Sequence, residues 1–360
     1  MAKKTNKAIA FLLVVLCTFL SVLSIGIPAA SAAAPSRASA SVSLKNLKVY
    51  PGGVPFGVKF LTEGIIIVGF AEVTSAGHTV CPAKQAGLCI GDVILKINGT
   101  SVDSANRLAQ ILKESQATPL TVVYKRNGKE ATTTVTPVYS DAEDRYTTGL
   151  YLRDSGAGIG TVTFVIPKTC AFAGLGHGIC DAHTGDLLPI QRGSVVDVTI
   201  SGVVRGLSGS PGEVKGYFAS GKTGTLLGNT HCGVYGVLAR LPEKLPSEPI
   251  SLGLRDEITE GRAYIYSMLD SDCPQKYEIE ISEIRRDSTD NKSFTVKVTD
   301  KALISKTGGI IQGMSGSPII QNGKLVGAVT HVLINDPTTG YGIFIENMLN
   351  ASQMPMARAS

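Results

Sequence analysis

The segment Gly313–Pro318, with the sequence Gly-Met-Ser-Gly-Ser-Pro, has the residue types of a nucleophilic turn. Ser315 has glycines close by at positions 313 and 316, so a tight turn can expose its hydroxyl group. In such a turn the backbone N–H groups of Gly313 and Ser315 can point together at an oxyanion that develops on a substrate. The sequence therefore predicts acyl transfer, with Ser315 as the nucleophile and the N–H groups of Gly313 and Ser315 as the oxyanion hole.

A second copy of this local pattern lies upstream, at Arg205–Pro211, with Ser208 at its centre. It is followed by Gly-Glu-Val-Lys, whereas Ser315 is followed by a strand, an Asn-Gly turn and another strand. Ser208 also lies only 208 − 177 = 31 residues after the best candidate base, His177, too few to build two barrels between base and nucleophile. We interpret the Ser208 segment as a structural turn.

A serine is a poor nucleophile unless a base takes its proton, and the sequence has five histidines. His177 follows an apolar strand in a turn of small residues, Gly174-Leu-Gly-His-Gly178, where an imidazole can enter a cleft without crowding. We predict His177 as the base. Other histidines that remain open are His183 on the same loop, and His231 and His331 on later strand-like segments.

A carboxylate is expected to hold the base in one tautomer and to stabilise its cation. Asp197 lies in the strand-like sequence Val-Val-Asp-Val-Thr, between His177 and Ser315. Asp300 follows another apparent strand and lies 315 − 300 = 15 residues before Ser315. The residues alone leave Asp197 and Asp300 open as the acid.

The elements that must position these residues are short strands separated by glycine turns. They include Gly160–Ile166, Ser194–Ile200, Tyr277–Ile284 and Ser293–Val298. Strands at this spacing predict a sandwich or a barrel. With the Ser315 turn and the hairpin after it, this part of the chain resembles the trypsin-like proteases. The resemblance implies a double β-barrel peptidase domain over residues 149–350.

The chain before this domain has the pattern of a smaller α+β module over residues 55–138. An alternating strand ends in an Asn-Gly turn, and an amphipathic helix is predicted at Ser104–Ser115. The stretch Pro82–Gly99 resembles bacterial PDZ domains, which bind extended peptides by adding a strand to a sheet edge. That resemblance implies a carboxylate-binding loop at Gly57, Val58, Lys59 and Phe60. The polar segment 139–148 is predicted to be a linker.

The amino terminus has the features of an export signal. Lys3, Lys4 and Lys7 precede the apolar stretch Ala8–Ile27, and Ala-Ser-Ala at 30–32 is a small-residue cleavage site. We predict a signal peptide at 1–32, with an uncleaved membrane anchor as the alternative, and a linker at 33–54. The protein is therefore expected to be exported.

The charge of the chain indicates which partners are not expected, and its cysteines indicate disulfides rather than a metal site. Without residues 1–32 the chain has 34 − 3 = 31 basic and 29 acidic residues, so binding to nucleic acid is not expected. Six cysteines remain and predict disulfides in an exported chain: Cys81, Cys89, Cys170, Cys180, Cys232 and Cys273. No C-x-x-C pair and no H-E-x-x-H motif is present, so no metal and no cofactor is expected.

Several longer motifs together resemble the SpoIVB-type sporulation peptidases. They are Gly149–Phe164, Gly174–Ile179, Pro211–Glu213 and Gly309–Lys324. The resemblance extends from about residue 46 to the carboxyl terminus. It implies a mostly β protein, with a PDZ domain followed by a trypsin-like serine endopeptidase, and a triad of His177, Asp300 and Ser315.

The same resemblance implies a biological setting. Such peptidases act in the space between the two membranes of the sporangium. They cleave a regulator of an intramembrane protease, which leads to processing of a late sigma factor, and they also cleave themselves. The expected partners are a protein substrate at a membrane surface and peptide C-termini or extended peptides at the PDZ domain. The alternative function is a catalytically inactive, PDZ-based scaffold.

Overall fold

The computed structural model of the protein describes residues 44–182, 185–246, 248–270 and 273–352. The predicted signal peptide at 1–32, and residues 33–43 of the predicted linker, lie outside the described residues. Within the described ranges, no helix is both long and apolar enough to cross a membrane.

Strands dominate the described chain, as the sequence predicts. Up to residue 165 the strands are β1 (Lys48–Pro51), β2 (Pro55–Phe70), β3 (Val73–Ser75), β4 (His78–Val80), β5 (Val93–Ile97), β6 (Thr100–Ser101), β7 (Leu120–Arg126), β8 (Lys129–Val135), β9 (Val138–Ser140), β10 (Arg145–Thr147) and β11 (Leu150–Val165). The later strands are β12 (Ala171–Gly174), β13 (Ile190–Val204), β14 (Glu213–Phe218), β15 (Gly224–Thr230), β16 (Gly233–Leu238), β17 (Ile250–Ser251), β18 (Gly261–Ser267), β19 (Gln275–Ser282), β20 (Phe294–Val298), β21 (Pro318–Gln321), β22 (Lys324–Leu333) and β23 (Asp336–Phe344). The helices are α1 (Pro82–Gln85), α2 (Ala105–Ser115), α3 (Lys301–Thr307) and α4 (Ile345–Ser352), with a 3-10 turn at Arg255–Glu257.

The first barrel is a closed ring of antiparallel strands in the order β2, β13, β15, β16, β12 and β11, with β11 pairing back to β2. Alternate side chains of β2 point into its core, where Phe56 packs edge-on against the fully buried ring of Phe172. A ring buried in this way contributes about 2–3 kcal/mol relative to an exposed one. The barrel therefore forms a rigid wall for residues at its rim.

The second barrel is closed by β18, β19, β20, β23, β22 and β21. Its core includes Phe294, Phe344 and Met314, and Met314 is the residue directly before Ser315. A separate cluster joins the barrels, with Phe164 of β11 packing among residues of β21, β22 and α4. The mostly β, double-barrel prediction is confirmed.

The PDZ-like module is built into the first barrel and does not simply precede it. β2 and β11 each have 16 residues, and both continue from the barrel into the module. There, the far part of β2 pairs with β5, and the start of β11 pairs with β2. A separate core lies under α2 and includes Ile65, Leu108 and Leu120.

This arrangement corrects three of the predicted boundaries. Residues 55–63 belong to the first barrel and not to the module. Residues 139–148 include the hairpin of β9 and β10, so they are not an unstructured linker. Within the predicted linker 33–54, β1 is an ordered strand that pairs with β11 and β17.

The prediction that Gly57, Val58, Lys59 and Phe60 bind peptide is wrong. Addition of a strand needs a free edge, but these residues of β2 pair with β11 on one side and with β13 on the other. Val58 and Phe60 are also buried in the barrel core. The segment therefore lies in the interior of a sheet.

Candidate active site

The nucleophile turn links the two barrels. Gly313 and Gly316 have φ values of +97° and +95°, a region that favours glycine. A Cβ atom on Gly316 would lie 2.1 Å from the carbonyl oxygen of Thr161, so only glycine allows this approach. Thr161 of β11 donates from its N–H to the Ser315 carbonyl at 3.0 Å and from Oγ1 to the Gly313 carbonyl at 2.7 Å. The first barrel therefore fixes the turn through two hydrogen bonds from Thr161.

The N–H groups around Ser315 fall into two sets. Met314 donates to the carbonyl of Ile311 at 3.1 Å, and Gly316 donates to that of Val329 at 2.8 Å. By contrast, the N–H groups of Gly313 and Ser315 donate to no backbone carbonyl in the part of the chain that the structure describes. This alternation leaves two nearby donors, at the positions that the sequence analysis assigns to the oxyanion hole, without a backbone acceptor.

His177 is presented by an unusual turn after β12. Leu175 and Gly176 have φ values of +67° and +68°, and Leu175 is a non-glycine residue in the left-handed region. Such strain is typical of functional sites. Nδ1 of His177 lies 2.9 Å from the carbonyl oxygen of Gly178. Burial lowers the pKa of His177 below its ordinary value of 6.5, so the imidazole is neutral near pH 7 and can accept a proton.

His177, Gly313 and Ser315 line one cleft of about 590 Å³. Most of its remaining wall is apolar or glycine, with Val58, Phe60, Leu175 and Leu188 among the lining residues. Arg153 also lines the cleft, where its charge is balanced by the buried carboxylate of Asp181 at 2.8 Å. The cleft therefore suits an uncharged segment of polypeptide.

The hydroxyl of Ser315 is bound to a backbone carbonyl. Its Oγ donates to the carbonyl oxygen of Thr330 at 2.7 Å. The hydroxyl hydrogen must leave this carbonyl before it can pass to an imidazole. Catalytic hydrogen bonds are often poorly formed before substrate binds, so this geometry does not remove Ser315 as a candidate.

The structure does not bring Asp300 to His177. Asp300 is the N-cap of α3: Oδ1 accepts from the N–H of Leu303 at 2.9 Å, and Oδ2 accepts from that of Glu278 at 3.3 Å. The opposite end of β20 is the one near the cleft. Asn291 lies just before this strand, and its carbonyl accepts from Oγ1 of Thr330 at 2.8 Å. The carbonyl of Thr330 in turn accepts from Oγ of Ser315. A strand rises roughly 3.3 Å per residue, so β20 separates Asp300 from this end by more than 10 Å.

Asp197 is not an alternative acid in this fold. It is exposed and lines a different cavity, together with Thr223 and Arg240. Its backbone carbonyl accepts from the N–H of Ala219 at 2.9 Å. Neither Asp197 nor Asp300 is among the residues that line the cleft with Ser315.

The other sequence candidates lie outside the cleft or outside the described residues. His231 is exposed on the turn after β15, and His183 falls among the residues that the structure does not describe. Ser208 is exposed in a turn that is closed by the Leu207–Ser210 bridge, and its Oγ donates to the Asn335 carbonyl at 2.9 Å. These contacts fit the interpretation of the Ser208 segment as a structural turn.

The structure shows no disulfide among five of the cysteines for which the sequence predicts them. Cys81, Cys89, Cys170, Cys180 and Cys232 are thiols. In particular, no bond joins Cys170 and Cys180, which lie on either side of His177 in the sequence. The histidine turn is held instead by Asn229, whose side-chain amide bonds both the N–H and the carbonyl of Ile179 at 2.8 Å.

A second concave surface lies on the PDZ-like module, between α2 and the start of β11. It has a volume of about 680 Å³ and is lined by Leu108, Ala109 and Leu112 of the helix and by Leu150–Leu152 of the strand. Along Leu150–Leu152, β11 pairs with β2 alone in the described ranges, so its other edge is open to the groove. The sequence signal that could have indicated this edge is the apolar Leu-Tyr-Leu that follows Gly149.

The contacts of Asp300 predict the effects of replacing it. Asp300→Asn should keep the cap of α3, since asparagine is an equally good N-cap, and should leave turnover within about tenfold of wild type. Asp300→Ala should lower the free energy of unfolding by about 1 kcal/mol. Urea denaturation and peptidase kinetics check both, with the exposed Asp197→Asn as the control for loss of charge. A folded Asp300→Asn protein that loses about 10⁴ in kcat would restore Asp300 as the acid.

Comparison with known proteins gives two family matches. Residues 144–349 match the SpoIVB peptidase S55 family, and residues 73–126 match the PDZ domain. No curated protein matches the chain significantly.

Solved structures match parts of the chain at low identity. The Rv3671c protease from M. tuberculosis in its active form is 16% identical, with a TM-score of 0.28, over 54% of this chain and 73% of that chain. The HtrA-type protease AlgW with a tripeptide is 15% identical, with a TM-score of 0.31, over 54% of each chain. The PDZ domain of the SdrC-like protein from Listeria monocytogenes is 19% identical, with a TM-score of 0.21, over 25% of this chain and 87% of that chain.

Proposed function

The chain belongs to the SpoIVB peptidase S55 family and is a serine peptidase with a PDZ domain; we propose that Ser315 and His177 are its nucleophile and base. The single observation that supports this assignment best is the cleft that both residues share with Gly313. Two unengaged N–H groups and a neutral imidazole meet there beside a serine hydroxyl, which is the set of groups that acyl transfer needs.

In the first step, Oγ of Ser315 attacks the scissile carbonyl carbon while its proton passes to His177. The C–O bond forms, and the carbonyl π electrons move to the oxygen. That oxyanion is stabilised by the N–H groups of Gly313 and Ser315. His177 then gives its proton to the leaving amine as the C–N bond breaks, which leaves an acyl group on Ser315. Water, activated by His177, hydrolyses this ester and restores the hydroxyl.

The substrate that we propose is an extended, largely uncharged segment of a regulatory protein. The apolar walls of the cleft and the balanced charge of Arg153 support this class of substrate. By resemblance to the family, the substrate is a regulator of an intramembrane protease at a membrane surface, and its cleavage starts sporulation signalling that leads to late sigma-factor processing. Cleavage of the enzyme's own amino-terminal segment belongs to the same proposal.

The proposed location is the intermembrane space of the sporangium. The lysines at 3, 4 and 7, followed by the apolar stretch Ala8–Ile27, support export. Fractionation of sporulating cells, with an antibody against the peptidase domain, tests this location. Recovery of the full-length chain in the cytoplasm would contradict it.

A fluorophosphonate probe tests the enzyme assignment directly. The serine oxygen attacks the phosphorus and displaces fluoride, so only an activated hydroxyl is labelled at a useful rate. We expect the purified protein to be labelled once, at Ser315, as mass spectrometry of a tryptic digest would show. Labelling at Ser208, or none in a folded protein, would contradict the assignment.

The groove between α2 and β11 is the place where we propose that the PDZ domain binds extended peptides. Ala109→Arg, on the exposed surface of α2, should fill the groove and weaken binding at least about tenfold without disturbing the core. Asn106→Arg is the matched control, because it adds the same charge to the same helix away from the groove. Fluorescence titration with peptides from the enzyme's amino-terminal region measures the effect. Equal affinity in both variants would place the binding surface elsewhere.

A further inference from the structure

The strand β11 lines both the groove beside α2 and the cleft that holds Ser315. It contributes Leu150–Leu152 to the groove, and Arg153 and residues 155–160 to the cleft. The strand is unbroken over its 16 residues. The groove and the cleft are therefore successive parts of one continuous wall.

One edge of this wall is open along both the groove and the cleft. From Leu150 to Gly160, β11 pairs with β2 alone within the described ranges. On its other edge, β12 joins only from Val162 onward. The unpaired N–H and C=O groups of such an edge are a ready template for another extended chain.

Thr161 shows which backbone groups of β11 point to the open edge. Its N–H donates to the carbonyl of Ser315 at 3.0 Å, and its own carbonyl accepts from the N–H of Leu175 at 3.3 Å. Both groups therefore point away from β2. Backbone groups alternate between the two sides of a strand, so those of residues 155, 157 and 159 point the same way as those of Thr161. The open edge thus begins directly beside the nucleophile turn and the turn that carries His177.

One face of β11 has space for a side chain of a bound segment. Gly156, Gly158 and Gly160 alternate along the strand, so they share this face. A Cβ at Gly156 would meet Phe60, and one at Gly160 would meet Leu175. A Cβ at Gly158 would meet nothing within 4 Å. Because Phe60 and Leu175 both line the cleft, an apolar side chain can lie over Gly158 between them.

Two side chains in the middle of β11 fix the walls on either side of the edge. Oδ2 of Asp154 accepts from the N–H of Ala105 at 2.8 Å, which ties the start of α2 to the strand. Nη1 of Arg153 donates to the buried carboxylate of Asp181 at 2.8 Å, which ties the strand to the loop after His177. The helix beside the groove and the loop beside the cleft are therefore both held to β11.

The direction and the length of β11 determine which part of a substrate fits its edge. Antiparallel pairing is the more stable arrangement, and β11 pairs in this way with β1, β2 and β12. An antiparallel segment runs from the cleft to the groove, so it carries the residues after the scissile bond. From Leu150 to Gly160 there are 160 − 150 = 10 residue steps, or about 33 Å of strand.

We propose that the open edge of β11 binds one extended segment of the substrate across both sites. The residues after the scissile bond pair along the edge, and the far end of the segment lies in the groove beside α2. The proposal rests on the assignment of Ser315 and His177 as nucleophile and base. The length of β11 then selects the bond, because only a bond followed by about ten residues of extended chain allows contact with the groove. Binding energy from the groove, remote from the reacting carbonyl, thereby serves cleavage.

A mixture of peptides with no chosen sequence tests the length requirement. The wild-type enzyme is incubated with an endoproteinase digest of a bacterial lysate, and mass spectrometry maps each newly cleaved bond. Bonds followed by about ten or more residues should be cleaved at least about tenfold more often than bonds followed by about three. A cleavage frequency that does not depend on the number of residues after the bond would overturn the proposal.

Two variants of α2 test whether the groove holds the same segment that is cleaved. A peptide cleaved in the mixture is made in a long form and in a form cut short after the bond, and kcat/KM is measured for both. Ala109→Arg, which fills the groove, should lower the ratio of the long to the short form at least about fivefold. Asn106→Arg, on the same helix away from the groove, should keep the wild-type ratio. An equal ratio in the two variants would contradict the proposal.

An N-methyl scan of the long peptide tests strand pairing with the wild-type enzyme. In a paired strand only alternate N–H groups of the peptide face β11, so methylation after the bond should lower kcat/KM about three- to tenfold at every second position. A flexible tether between cleft and groove would give no such alternation, and that result would overturn the proposal.

Labelling of the same samples by the fluorophosphonate probe separates two kinds of failure. An enzyme that is labelled at Ser315 but cleaves no peptide of any length would contradict binding along β11. A folded enzyme without labelling at Ser315 would instead contradict the assignment of the nucleophile.

Discussion

Ser315→Ala should abolish peptidase activity and leave the fold intact. The change removes one oxygen atom from a half-buried side chain, and the hydrogen bonds that shape the turn come from backbone groups and Thr161. By comparison with other serine enzymes, the loss in kcat should be several orders of magnitude, about 10⁶ where the measurement reaches that far. Hydrolysis of a fluorogenic peptide from the amino-terminal region, followed over days, measures it.

Ser208→Ala is the matched control for this prediction. Ser208 has the same flanking residues, Gly-Ser-Pro, but it is exposed in the turn that contacts Asn335. We expect full activity and a melting temperature within a few degrees of wild type. The opposite pattern, with activity lost in Ser208→Ala and kept in Ser315→Ala, would show that the nucleophile had been assigned to the wrong copy of the motif.

The parts of the site that could be predicted from the sequence are those whose signals are local. The turn at Ser315 needs glycine at positions 313 and 316 because its backbone lies in the left-handed region, and these glycines are visible in the sequence. The His177 turn is similar, with Gly176 among small neighbours. Residue types at fixed spacing are enough to predict such turns.

Tertiary pairing explains the parts that could not be predicted. A strand with buried residues on alternate positions has the same pattern whether its edge is free or paired, so the interior position of Val58 and Phe60 was not visible. The continuation of β2 and β11 through both domains has no local signal either. Asp300 is an aspartate directly before a helix, a pattern that indicates an N-cap as well as an acid. The ring centroid of His331 lies 4.9 Å from that of His177, and this contact depends on a bulge in β22, which alternation does not reveal.

His177→Ala should cost about as much as the loss of Ser315. Without the imidazole, no side chain that lines the cleft is suited to take the serine proton: the other polar ones are Arg153, Ser155, Gln312 and Cys180, and burial raises the pKa of the Cys180 thiol. Residues that act as one unit are not additive, so the double variant with Ser315→Ala should lose little more than either single variant. Losses that multiply in the double variant would contradict a shared step.

The pH dependence of the wild-type enzyme tests the same assignment without a mutation. Burial lowers the pKa of His177, so the ring stays neutral and able to accept a proton at pH values where an exposed histidine is already charged. Activity should therefore be held as the pH falls to 6.5 and should decline only below it, as His177 gains its proton. The acid limb of kcat/KM, which reports groups of the free enzyme, measures this value. A midpoint above 6.5 would mean that a nearby carboxylate stabilises the charged ring, and an acid would then have to be sought again near His177.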